Sequence, residues 1–179
     1  SRSLKARLRD FLLITGEAQQ LLDSENMAEL AAFCTGSWAT SAETDAGSGS
    51  WEAAVCRCLQ DLEILEPDWL ALLKQWEQAP ELPSFAPQDP EKLERIAVYF
   101  AFRYLLKAVN DGDLLGRAQF CALGVLVTDR LSRFVGLPEA LRLFSREIEH
   151  NGDNLDTLLE QFWQTEGLSL SALLAAFGG

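Results

Sequence analysis

Residues 114–134 read LLGRAQFCALGVLVTDRLSRF, a mainly apolar stretch long enough for about six turns of helix. The residues that recur at helical spacing and predict a core-facing stripe are Phe120, Leu123, Gly124, Val127 and Leu131. Gly136 follows the stretch, and glycine is common just after the last turn of a helix. The sequence therefore predicts a long central helix.

Amphipathic patterns of the same kind cover most of the remaining sequence. They predict helices over 4–22, 51–65, 90–109, 138–148, 153–163 and 169–177, with a further helix capped by Ser24 and another that starts at Pro67. Asp89 and Pro90 fit the cap and the first position of the 90–109 helix. No alternating strand pattern of useful length occurs. The predicted fold class is all-α, a helical bundle or orthogonal array of about seven to eight helices.

A cluster of prolines divides the chain. Four of the six prolines follow the fourth predicted helix: Pro80, Pro83, Pro87 and Pro90. Because proline-rich segments favour extended backbone, residues 79–90 are predicted to connect an N-terminal helical half, 1–78, with a C-terminal helical half, 91–179. A length of 179 residues is compatible with two units or with two halves that pack as one domain.

Composition limits the class of partner. The formal net charge is −12 at pH 7, so the surface would mostly repel a nucleic-acid backbone, and a basic protein partner is favoured. The apolar runs are shorter than the roughly 18 to 20 residues that a membrane span needs, and no signal peptide opens the sequence. We therefore expect a cytoplasmic protein that binds neither nucleic acid nor membrane.

Metal ligands are scarce. The four cysteines form no CxxC motif, and His150 is the single histidine. Glu147 and His150 have the spacing found in carboxylate-bridged metal sites of helix bundles, but those sites need the motif twice. We therefore expect no metal within this chain, free thiols at the cysteines, and a helix-capping role for His150.

Charged residues cluster where two long predicted helices meet. The cluster consists of Arg103, Lys107, Asp111, Asp113 and Arg117. One interpretation is a salt-bridged corner between helices, and the other is a site in which Asp111 and Asp113 hold a cationic substrate. Tyr99 and Tyr104 are expected to be core aromatics with hydroxyl groups at the rim.

Two blocks of the second half resemble a known family. The first is 94–104, ERIAVYFAFRY, followed by LKA at 106–108 and DGD at 111–113, and the second is 144–150, FSREIEH, followed by Asn154. Both are similar to the C-terminal region of the flagellin lysine-N-methylase family. That resemblance implies methyl transfer from S-adenosylmethionine to lysine side chains of flagellin. The family's cysteine-rich N-terminal segment is missing, which implies a C-terminal domain alone or a member that has lost the segment.

Lysine methylation needs a neutral amine, a group that orients it and takes up its proton, and a desolvated aromatic wall. The candidate catalytic residues are Asp111, Asp113, Tyr104, Glu147 and Glu149. The candidate substrate-binding residues are Arg103, Lys107, Arg117, His150 and Asn154. A competing hypothesis is a non-catalytic acidic helical module that binds a basic or amphipathic protein partner through an apolar groove.

Overall fold

The computed structural model describes residues 2–36, 51–79 and 85–177, and within these residues the chain is helical with no strand. Nine helices of seven or more residues and one single-turn helix are described, which confirms the predicted all-α class. The first five are α1 (Leu4–Asp23), α2 (Met27–Thr35), α3 (Trp51–Asp61), α4 (Pro67–Glu77) and α5 (Pro90–Tyr104). The others are the single turn α6 (Ala108–Asp111), α7 (Leu114–Val135), α8 (Leu137–Phe144), α9 (Gly152–Gln164) and α10 (Leu170–Ala176).

Shorter turns join some of these helices. A 3₁₀ turn, Leu105–Lys107, lies between α5 and α6, and a second one, Glu166–Leu168, precedes α10. A π-helical turn, Ser145–Glu149, follows α8. The predicted single helix over 90–109 is therefore interrupted after Tyr104, where the backbone tightens before α6.

Side-chain caps fix several helix ends. Asp89 accepts a hydrogen bond from the Lys92 backbone N–H, and Pro90 occupies the first turn of α5, as predicted. The prediction that Ser24 caps the second helix is wrong, because Ser24 closes α1 and Asn26 caps α2. The third helix ends at Asp61, four residues earlier than predicted.

The α7 helix is the centre of the molecule. Its residues are buried almost without interruption from Gly116 to Leu131, and α1, α5, α8 and α9 pack around it. A helix that is apolar on all faces is stable only when neighbours cover all of those faces. The core-facing stripe predicted from the sequence is confirmed, and burial extends well beyond it.

Aromatic rings join α5, α7 and α8. Phe100 of α5 packs edge-on against Phe120 of α7 and Phe144 of α8, with ring centroids 6.1 and 5.6 Å apart. Tyr104 packs against Phe120 at 4.6 Å. Such aromatic contacts add to the hydrophobic gain from burying the rings. Gly124 lets the Phe100 ring approach α7 closely, since a Cβ atom there would lie 2.9 Å from the ring.

The predicted connector falls partly outside the described residues, because 80–84 are not among them. On its C-terminal side Phe85 is buried and packs edge-on against Phe177 at 5.2 Å. Buried residues from α1 through α10 belong to one hydrophobic cluster. The division into two halves stays a prediction. None of the described helices has both the length and the apolar character needed to cross a membrane.

We predict that Gly124→Ala destabilises the protein. An added methyl group would press on Phe100, which is fully buried among other rings and cannot move away. We expect a loss of about 1–3 kcal/mol in the free energy of unfolding, measured by urea denaturation. Gly152→Ala is the matched control, because nothing lies within 4 Å of a Cβ atom there. Equal stability of the two variants would contradict the close contact.

Candidate functional site

The candidate residues lie in three groups. Tyr104 and Arg103 contact Glu149, and Lys107 lies over the Tyr104 ring. Glu147 and Asn154 contact the loop before α4. Asp111, Asp113 and Arg117 form the turn between α6 and α7. The mixed-charge cluster expected from the sequence is thus divided between two of these groups.

Glu149 is the centre of a buried polar network. Its side chain is 1% exposed, and its Oε1 atom accepts hydrogen bonds from the Tyr99 hydroxyl at 2.9 Å and the Tyr104 hydroxyl at 2.8 Å. A buried carboxylate is tolerated only when donors replace its lost water. The Oε2 atom has no hydrogen-bond partner among the described residues.

Arg103 covers this network from the solvent side. Its Nε atom donates to the Tyr104 hydroxyl at 3.0 Å and lies 3.5 Å from Oε1 of Glu149. The guanidinium group also lies 5.6 Å from the centre of the Tyr104 ring, and the Lys107 ammonium lies 5.1 Å from it. Burial, reinforced by the bond to Glu149, raises the pKa of Tyr104 above its ordinary value. Both tyrosines therefore remain protonated donors at neutral pH.

Glu147 and Asn154 hold the loop between α3 and α4. The two carboxylate oxygens of Glu147 accept hydrogen bonds from the backbone N–H groups of Glu66, at 2.7 Å, and Leu65, at 2.9 Å. Asn154 accepts from the Glu63 N–H at 3.0 Å and donates to the Glu63 and Glu147 carbonyls at 2.8 Å. Because the side-chain oxygens and nitrogen of these two residues all form hydrogen bonds to the backbone, we assign both side chains a structural role.

The turn between α6 and α7 holds the acidic pair. Gly112 has φ of +73°, a left-handed conformation that favours glycine. Asp113 caps α7 through the Gly116 N–H at 2.9 Å, and Asp111 forms an ion pair with Arg117. The hydrogen bond from Arg117 lowers the pKa of Asp111 below its ordinary value. Both carboxylates thus have a structural partner and still reach the surface.

An acidic cavity opens beside this turn, with a volume of about 440 Å³. It is lined by Gln19, Asp23, Asp111, Gly112, Asp113, Leu159, Glu160 and Trp163. Four of these side chains are carboxylates, and the Trp163 side chain beside them is 60% exposed. We call this feature the acidic cavity. It brings Asp111 and Asp113 together with residues of α1 and α9 that are far away in the sequence.

Sequence reasoning missed several members of these groups. No local pattern links Trp163 to the acidic pair, because it lies next to the apolar stripe of α9 that buries Leu158 and Phe162. Tyr99 was expected in the core but is only partly covered. Its spacing of four residues from Arg103 is the signal that could have placed it beside that residue, because residues four apart neighbour each other on a helix.

His150 and the cysteines take no part in these groups. His150 is exposed and ends the π-helical turn, where its backbone N–H donates to the Ser145 carbonyl at 2.9 Å. Burial raises the pKa of Cys56 and Cys121 to about 12, so both remain neutral thiols at physiological pH. Across the described parts of the chain, no group of three or more His, Cys, Asp or Glu residues is arranged to hold a metal ion.

Comparisons with protein-family models, curated proteins and solved structures find no match to this chain. The resemblance of the two sequence blocks, 94–113 and 144–154, therefore stays an expectation. In the folded chain these blocks contact each other, because Tyr99, Arg103 and Tyr104 of the first surround Glu149 of the second.

We predict that Glu147→Gln destabilises the fold. A glutamine side chain offers one oxygen in place of two, so one of the two loop N–H groups loses its acceptor. The expected loss is about 1–3 kcal/mol in the free energy of unfolding, measured by urea denaturation. Glu139→Gln removes a half-exposed carboxylate that pairs with Arg142 and should change stability by less than about 1 kcal/mol. Equal free energies of unfolding for the Glu147 and Glu139 variants would contradict the structural role of Glu147.

Proposed function

We propose that this chain is the lysine-recognising C-terminal part of a protein-lysine N-methylase that acts on flagellin. The observation that carries the proposal is the acidic cavity, in which Asp111 and Asp113 meet Asp23, Glu160 and Trp163. The same DGD turn belongs to the sequence that resembles the flagellin lysine-N-methylases. The substrate would be a lysine side chain on the surface of a protein.

The chemistry of the cavity suits a lysine side chain. Its carboxylates attract the ammonium group, and the indole of Trp163 offers an aromatic face to the cation and an apolar surface to the alkyl stem. Its volume of about 440 Å³ lies within the usual range for ligand pockets. In this proposal the side chains bind and orient the lysine.

The Glu149 network supports the proposal by positioning the turn. Tyr99, Arg103 and Tyr104 lie at the C-terminal end of α5, and Glu149 fixes that end to the π-helical turn. The segment that follows leads directly into the Asp111–Gly112–Asp113 turn. Tyr104 and Glu149 therefore act as positioning residues in this proposal.

The cofactor that the resemblance implies, S-adenosylmethionine, carries a sulfonium, an ammonium and a carboxylate group. The acidic cavity suits the two cations, but among the residues that the structure describes no Lys or Arg lines it to pair with the carboxylate. The cavity therefore fits a lysine side chain and does not fit the complete cofactor. We assign no residue of the cavity to cofactor binding.

A second candidate function uses the same cavity. A non-catalytic acidic module would bind a basic segment of a partner through the same carboxylates and Trp163, without any cofactor. Both candidates share lysine recognition, and they differ in whether the chain binds S-adenosylmethionine. Two separate measurements therefore test them.

The methylase proposal predicts that S-adenosylmethionine and S-adenosylhomocysteine raise the melting temperature in a saturable way. A ligand at a hundred times its Kd adds about 2.7 kcal/mol, which corresponds to a rise of about 5–10 °C for a chain of this size. Trp163→Ala should leave this rise unchanged, because the cofactor does not occupy the acidic cavity. Absence of any rise would favour the second candidate.

Lysine recognition predicts that a fluorescent peptide with a single lysine binds at least about tenfold more tightly than the same peptide with acetyl-lysine. Trp163→Ala and Glu160→Gln should each weaken binding of the lysine peptide by about tenfold in an anisotropy titration. Asp156→Asn is the matched control, because Asp156 is exposed on the same helix but does not line the cavity.

The pair of substitutions Asp111→Asn and Asp113→Asn belongs to the same experiment. Asparagine caps helices as well as aspartate does, so α7 keeps its N-cap while the cavity loses two charges. Binding of the lysine peptide, and methyl transfer if S-adenosylmethionine binds, should be lost. Equal affinity for the lysine and acetyl-lysine peptides would contradict lysine recognition by this cavity.

A further inference from the structure

A stripe of exposed apolar side chains runs along the outer face of α5 and the two turns that follow it. Val98, Phe102, Leu106 and Val109 are exposed by 51%, 75%, 65% and 89%, respectively. Val98 and Phe102 are four residues apart and share one side of α5, and Leu106 and Val109 follow in the 3₁₀ turn and in α6. We call these four residues the outer stripe. Contiguous exposed apolar surface on a protein usually marks an interaction site.

Core packing does not account for the four residues of the outer stripe. The 3₁₀ turn Leu105–Lys107 and helix α6 (Ala108–Asp111) contain no buried residue, although leucine, valine and alanine predominate in them. Other residues form the core-facing side of α5: Leu93, Ile96, Phe100 and Tyr104. The apolar residues of the outer stripe are therefore additional to those that the fold uses.

A groove of about 170 Å³ lies beside the outer stripe, between α1 and α5. Its lining is mainly apolar and includes Leu4, Leu8, Phe11, Ala97, Val98 and Ala101. Val98 belongs to both features, so the groove and the stripe are continuous. An ion pair between Arg7 and Glu94 closes one part of the groove. The combined surface is a concave channel next to an apolar ridge.

The two segments that carry the groove and most of the outer stripe contain more basic than acidic residues, unlike the chain as a whole. Residues 2–10 and 89–107 contain eight of the fifteen Lys and Arg residues but only four of the twenty-seven Asp and Glu residues. Arg95, Arg103 and Lys107 are exposed on α5 and the turn after it, and Arg7 is exposed on α1. Local positive charge on a protein of net charge −12 favours an acidic partner at this face.

We propose that the outer stripe and its groove bind an amphipathic helix of a partner protein, with acidic residues on both sides of the helix's apolar face. The apolar face covers Val98, Phe102, Leu106 and Val109, and a side chain of the partner enters the groove. The acidic residues that flank the apolar face of the partner helix pair with Arg95 of α5 and Lys107 of the turn after it. They also approach Arg7 of α1 on the other side of the groove. This follows the helix-in-groove mode of recognition.

The concave groove favours a helix over a membrane surface. A helix presents side chains that can enter a channel of about 170 Å³, whereas an anionic lipid surface is flat on that scale. The outer stripe and its groove share no residue with the lining of the acidic cavity, so this inference goes beyond the proposed lysine recognition.

The test is a selection from a displayed library of amphipathic helices of about five turns. The apolar face of each helix is fixed, and each flanking position is randomised between Glu and Lys. The full chain serves as bait, and the Phe102→Ser, Leu106→Ser double variant serves for counter-selection. We expect enrichment of helices with Glu at the flanks. For an enriched peptide the double variant should weaken binding by at least about tenfold, and Arg95→Glu should also weaken it.

Met27→Ser removes an exposed apolar side chain elsewhere and should leave the affinity unchanged. Enrichment of Lys at the flanks, or no enrichment, would overturn the proposal. The proposal would also be overturned if the chain co-sedimented with vesicles of phosphatidylcholine and phosphatidylserine and the Phe102 and Leu106 substitutions abolished that binding. A dimer of the chain that the same substitutions dissociate would overturn it as well. Trp163→Ala should not affect the selected peptide, so failure of lysine recognition is distinguishable from failure here.

Discussion

The burial of α7 on all of its faces is the constraint on which the other helices depend. A helix of 22 residues with buried positions on every side must be surrounded, and α1, α5, α8 and α9 supply the cover. Close approach is possible because Gly124 leaves room for the ring of Phe100. The positions of α5 and α9, and therefore of the two surfaces on them, follow from how they pack against α7.

Burial of Glu149 sets a second constraint. A carboxylate removed from water needs donors, and Tyr99, Tyr104 and Arg103 all lie at the end of α5. Glu147, Ile148 and Glu149 are buried in succession in the π-helical turn Ser145–Glu149. One carboxylate faces the α3–α4 loop and the other faces α5. The turn thereby ties three parts of the chain together.

The two proposed binding surfaces differ in charge. The acidic cavity collects carboxylates from α1, α9 and the turn before α7, and the outer stripe lies among exposed arginine and lysine residues of α5. A protein partner could therefore be held at one surface through an apolar helix while a lysine is presented at the other. The function that we propose makes use of this division, since methylation of a protein requires both recognition of the partner and access to individual lysine side chains.

The sequence by itself determined the all-α class, the central helix and the Asp89 cap, because these depend on residues close together in the chain. It could not separate carboxylates by role. Glu147 and Glu149 are two positions apart, yet one binds backbone N–H groups and the other binds tyrosines. It also could not bring Trp163 to Asp111, because a cavity depends on contacts between distant helices. Only the tertiary structure decided which polar groups form bonds within the fold and which remain accessible at the surface.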